Sequence, residues 1–123
     1  MNDVALVALG GGLGSVARYL ISLFAKWLSP GKTGFGTLIV NLAGCFLIGL
    51  FAGLAERAVV SKEFRTFFVT GILGGLTTFS SFSLETASFL NAGSVHGAAL
   101  YFGLNTGLGL LLTLGGLALA ARF

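Results

Sequence analysis

Gly71-Ile72-Leu73-Gly74-Gly75-Leu76-Thr77-Thr78-Phe79-Ser80-Ser81-Phe82-Ser83 is the stretch whose reading decides the fold. It sits inside an apolar run from about Thr66 to Leu90, long enough to cross a bilayer, which takes about 20 residues of helix. Adjacent glycines and β-branched threonines are poor helix formers. A break here would release backbone N–H and C=O groups at mid-membrane depth, where they are tolerated only if buried in protein or lining a polar cavity. Broken helices at the midplane are a recurrent device for binding ions. The alternative is a kinked helix whose hydroxyls bond back to the i−4 carbonyl. The residues alone leave both readings open.

Three more apolar stretches surround this one, at about Val4 to Leu28, Phe35 to Ala55 and Val95 to Ala121. They are separated by Ser29-Pro30-Gly31-Lys32, by the charged segment Glu56 to Arg65, and by Asn91-Ala92-Gly93-Ser94. The 123 residues are 55% hydrophobic and only 9% charged, against about 25% charged in soluble domains. So few charges cannot cover the large relative surface of a small globule, which excludes a soluble enzyme. A disordered chain is excluded by the same composition. One Pro beside 20 Gly excludes collagen. A single Cys excludes a disulfide framework and a Cys-rich metal site. The predicted fold is therefore an all-α membrane protein, one domain over residues 1–123 with four transmembrane helices, the third interrupted near its middle by Gly71–Thr78. The first stretch reads as a retained span, because no basic residue precedes it and no small-residue cleavage site follows it. Four short helices enclose little volume, so a membrane function at this length calls for an oligomer.

The formal net charge is +3. In a soluble protein that would raise nucleic acid as a partner, but here most basic residues fall where loops flank spans, and none is expected. Arg57, Lys62, Arg65 and Arg122 lie on one side of the membrane and Lys26 and Lys32 on the other. By the positive-inside rule this small excess gives a weakly specified topology with the N-terminus inside. Each span also carries a G-x-x-x-G pair: Gly10 and Gly14, Gly49 and Gly53, Gly71 and Gly75, Gly103 and Gly107. Small residues at this spacing let helices approach closely in lipid, so a packing role is expected for each.

Several polar residues interrupt the spans. Phe79 and Phe82 are three apart and share a helix face, with Ser80, Ser81 and Ser83 beside them. The edge of an aromatic ring carries partial positive charge. Ring edges and hydroxyls in a dry site suit a small anion that must bind and then leave. Glu85 is an intramembrane carboxylate and a functional candidate by default, either as a proton-coupling acid or as an acceptor for Thr and Asn donors. Arg18 lies in the second half of span one, from where it can snorkel to the interface. Asn41 is the lone amide of span two. Tyr101 and Asn105 form an i,i+4 polar stripe on span four. Cys45 reads as packing and His96 as solvated at a loop end.

Three blocks carry a resemblance: Gly11-Gly12-Leu13-Gly14-Ser15-Val16-Ala17-Arg18-Tyr19, Gly36-Thr37-Leu38-Ile39-Val40-Asn41-Leu42-Ala43-Gly44, and Gly71 to Phe82. Together they resemble the Fluc (CrcB-type) fluoride channels, and the likeness runs over essentially the whole chain. It implies a passive fluoride exporter of the bacterial inner membrane with its third helix broken near the middle, assembled as an antiparallel, dual-topology homodimer with two pores and a structural Na+ at the dimer centre. By motif position, Phe79 and Phe82 would offer ring edges to fluoride and Asn41 would be the pore amide. The carbonyls of Gly74 and Thr77 from both subunits would ligate the sodium, in keeping with the preference of hard cations for oxygen. Ser80, Ser81 and Thr86 would form a polar track that Tyr101 and Asn105 continue. Arg18 would line a vestibule and Glu85 would lie near a pore end. The family pattern has Ser where this chain has Asn105, and Thr where it has Ser81.

A small proton-coupled antiporter of the multidrug type is the competing reading. It needs a carboxylate in span one, and none follows Asp3 there. A structural subunit is disfavoured by the polar groups placed mid-span.

Overall fold

The computed structural model describes residues 2–123 and holds four helices long and apolar enough to span a membrane. They are α1 (Asp3–Leu28), α2 (Phe35–Glu56), α3 (Lys62–Asn91) and α4 (Val95–Ala120). These helices begin and end within a residue or two of the apolar stretches, except that α3 begins at Lys62, four residues before its apolar run. Ser61 explains the early start, because its side chain caps the Phe64 N–H at 3.1 Å. Asn2 caps α1 and Ser94 caps α4 in the same way. Gly34, which precedes α2, instead adopts φ +79°, and a Cβ there would fall on the ring of Tyr101.

Short loops make consecutive helices antiparallel, yet the tightest packing joins alternate ones. α1 lies along the first half of α3, and α2 along α4. Each is a parallel pair held by glycine. A Cβ on Gly10 or Gly14 would land on the carbonyl oxygens of Phe67 and Ile72, and a Cβ on Gly75 on that of Gly11. In the second pair Gly49 lies against the Thr113 carbonyl and Gly53 against Ala120. Close backbone approach of this kind drives helix association where lipid removes the hydrophobic incentive. Gly103 and Gly107 differ from the other pairs: both are exposed, and no protein atom lies near enough to meet a Cβ. Their spacing serves no packing within one protomer. Leu13, Leu20, Leu110 and Leu111 point outward, as lipid contact requires.

α3 is broken, but not at its glycines. Gly74 keeps helical angles (φ −62°, ψ −38°), while Thr77 (φ −82°, ψ 153°) and Thr78 (φ −151°, ψ 117°) are extended. Gly75 serves packing against Gly11 of α1, whereas Gly74 is exposed and meets no neighbour. Extended backbone suits β-branched threonine, and Thr78 then caps the second half of the helix through Ser81 N–H at 3.2 Å. The kinked-helix alternative survives in one detail, since the Thr77 hydroxyl bonds back to the Leu73 carbonyl at 2.9 Å. Wide π-type turns occupy Arg65–Leu73 of α3 and Leu104–Leu108 of α4. Such turns often accompany functional sites.

Glycine packing of this kind predicts a selective sensitivity. Gly49→Ala should cost about 1–3 kcal/mol, the usual penalty of overpacking, and lower the melting temperature in detergent. Gly115→Ala, where the added methyl meets open space, should leave it unchanged. Equal loss in both variants would contradict the parallel-pair packing.

Candidate functional site

The break at Thr77–Thr78 would leave backbone groups orphaned in the membrane, and Asn41 of α2 takes up those of Thr78. Its Oδ1 accepts from the Thr78 N–H at 2.9 Å, and its Nδ2 donates to the Thr78 carbonyl at 3.2 Å. The side-chain amide thus does what a neighbouring backbone would do. Its second N–H goes to Asn105 Oδ1 of α4 at 3.0 Å, and Asn105 donates in turn to the Tyr101 carbonyl at 3.0 Å. The Tyr101 hydroxyl donates to Glu85 of α3, with the Gly34 carbonyl as a further acceptor at 3.1 Å. The Thr37 hydroxyl of α2 donates to the other Glu85 oxygen at 2.9 Å. A polar chain therefore runs through three helices, from Thr78 at the break to Glu85 and to Thr37 in the first turn of α2.

Aromatic rings flank this chain. Phe82 is buried, with its centroid 5.9 Å from both Tyr101 and Phe102. Phe79 meets Phe82 edge to face at 5.4 Å but is 77% exposed. Phe79 and Phe82 are two walls of an open groove of about 520 Å³, whose other lining includes Asn41, Thr77, Thr78 and Asn105. Ser80 and Ser81 each lie 3.2 Å from the Thr78 hydroxyl.

The other sequence-designated residues fall as follows. Glu85 acts as an acceptor, as one reading had it, although its donors are Thr37 and Tyr101 rather than an asparagine. Thr86 lies on the same half of α3, but its hydroxyl donates to the Phe82 carbonyl at 2.8 Å and stands outside the chain. Arg18 reaches across to α3. Its Nε donates to the Gly75 carbonyl at 3.1 Å. The usual partner of that carbonyl, the Phe79 N–H, lies beyond the break, which leaves the acceptor open to the guanidinium. The Gly74 and Thr77 carbonyls accept no hydrogen bond among the described residues. Two free carbonyl oxygens at one break are donors suited to a hard cation.

Thr37 and Thr78 were not singled out from the sequence. Thr37 could have been: it stands four residues before Asn41, as Tyr101 stands four before Asn105, so two polar pairs face one another across α2 and α4. Nothing local marks Thr78 over its neighbours, because its role depends on where the break falls.

Comparison with known proteins adds the following. Residues 5–117 match the family model described as "CrcB-like protein, Camphor Resistance (CrcB)". A protein of Rhizobium etli (strain CIAT 652) is 44% identical over 96% of this chain and 95% of its own length. One from Flavobacterium psychrophilum is 43% identical over 98% of both chains, and one from Nitrobacter winogradskyi is 51% identical over 80% of this chain and 79% of its own. Each of the three is named "Fluoride-specific ion channel FluC".

Asn41→Leu tests the bridging role directly. It would strand the Thr78 N–H and carbonyl, at about 1–3 kcal/mol for each buried orphan. Hydrogen exchange at residues 77–79 should accelerate while exchange across α1 stays slow. Unchanged protection at Thr78 would contradict the bridge.

Proposed function

The chain belongs to the CrcB-like family, and from that membership we propose that it is a fluoride-selective ion channel rather than an enzyme. The observation that carries the reading is the polar chain built on the α3 break, with ring edges beside it and almost no full charge along it. Fluoride is small and strongly hydrated. A path that replaces its water must offer hydrogen-bond donors without holding the ion permanently. Here Asn41, Tyr101 and Thr37 offer N–H and O–H donors, each already engaged with an oxygen acceptor. An arriving fluoride would exchange partners with that acceptor rather than meet an idle donor. Binding would be favourable enough for entry and weak enough for release. Phe79 and Phe82 would add their ring edges. A larger, less strongly hydrogen-bonding anion would recover less of its hydration energy from these donors.

In this reading two copies assemble antiparallel, and each groove along Phe79 and Phe82 becomes one of two pores. The free carbonyls of Gly74 and Thr77, doubled by the second copy, would supply four oxygens to a structural Na+. The ion would lock the two breaks together and take no part in conduction. Ser80, Ser81 and Asn105 would extend the hydroxyl and amide lining. Arg18, tied to the Gly75 carbonyl, would brace the break from the vestibule side, and Glu85 would stand at a pore end. In a bacterial inner membrane the inside-negative potential would drive fluoride outward by about 2.3 kcal/mol per 100 mV, so no pump is required. The antiporter reading is not favoured, because α1 carries no carboxylate beyond Asp3 at its start.

Vesicles loaded with potassium fluoride and clamped with valinomycin should release fluoride and retain chloride. Chloride release at a similar rate, or a need for a proton gradient, would overturn the reading. Phe79→Ile and Asn41→Asp should each cut the flux roughly tenfold, a loss of about 1.4 kcal/mol of barrier stabilisation, without changing the elution volume. Dual insertion predicts that reporters fused after Phe123 give signal from both sides of the membrane. Signal from one compartment alone would exclude it.

A further inference from the structure

A second cavity, also of about 520 Å³, opens at the opposite end of the polar chain from the Phe79 groove. Lys26, in the last turn of α1, and Lys32, in the turn before α2, line it. Thr37 and Glu85 line its inner part, and these two residues are themselves the end of the chain leading through Tyr101 to Asn41. Both lysines are exposed, and neither has a carboxylate within ion-pair distance: the single salt bridge among the described residues joins Lys62 to Asp3 at the far end of α1. Two unneutralised cations thus stand around a cavity whose inner wall is the end of the path.

The sign of charge matters there. The Glu85 carboxylate faces the cavity and would repel an approaching anion if it acted alone. Two lysines outnumber it. Clefts lined by one sign of charge focus field lines and raise the local concentration of the opposite ion. Lysine suits that task because its ammonium is a compact, hydrated charge on a flexible stem. It attracts at a distance without the two-pronged grip of an arginine.

Resting on the channel reading above, we propose that Lys26 and Lys32 form an electropositive mouth that gathers small anions and delivers them to the Thr37–Glu85 end of the path. Their role is in the rate of entry at low ion concentration, not in selectivity. The test uses the full chain in vesicles of zwitterionic phosphatidylcholine, so that lipid headgroups add no net charge. Fluoride flux is measured at limiting fluoride, with potassium gluconate at about 0.01 M and then about 1 M, which shortens the screening length from roughly 30 Å to roughly 3 Å. The double variant K26Q/K32Q should run about threefold or more below the parent at low salt and match it at high salt. K26E/K32E should fall further, and K26R/K32R should restore the flux. Equal flux in parent and K26Q/K32Q at low salt would overturn the proposal. So would a deficit that salt does not erase, which would mark a structural defect. A parent that passes no fluoride at either salt would defeat the channel reading itself, a result distinct from either of these.

Discussion

A backbone group released inside a bilayer needs a partner, and at Thr77–Thr78 that requirement organises the molecule. The Thr78 peptide groups are held by Asn41, and the Gly75 carbonyl by Arg18. Asn41 can do this only if α2 lies close to the break, and its remaining N–H then brings Asn105 of α4 into the same network. From there the partners follow one another to Tyr101, Glu85 and Thr37. A local failure of helix geometry becomes a polar seam through three helices.

Close packing is what lets the seam exist in so small a chain. Gly10, Gly14 and Gly75 bring α1 onto α3, and Gly49 brings α2 onto α4, with backbones nearly touching. That economy leaves the face containing Phe79 and Gly74 without a cover in one protomer. A second copy is the natural occupant in the channel reading, and it would convert an open groove into an enclosed path while doubling the carbonyls available to a cation.

The span count and the approximate helix bounds were legible in composition and hydropathy, because lipid imposes length and apolarity directly, while the residues alone left the third helix either broken or kinked. The residue of the break was not legible. Glycines and threonines in Gly74–Thr78 are alike poor helix formers, but Gly75 is held against Gly11 of α1 in helical geometry, and the extended residues are the two threonines. The partner of Arg18 was hidden for a related reason: the bare Gly75 carbonyl comes within its reach only once α1 and α3 are packed. The G-x-x-x-G spacing was a sound guide in three spans and uninformative within the protomer in the fourth, since spacing shows that close approach is allowed without showing what approaches. Asn41, Tyr101 and Asn105 stood out because an amide or phenol in an apolar span must find a partner. Which partner each would find depends on helix pairing that no local pattern encodes.

Conduction along the seam is the central claim, and recording across a planar bilayer tests it most directly. With opposed fluoride and chloride gradients across the membrane, the current should reverse at the equilibrium potential of fluoride. Reversal at the chloride potential, or midway between the two, would contradict a path whose selectivity comes from ring edges and hydrogen-bond donors.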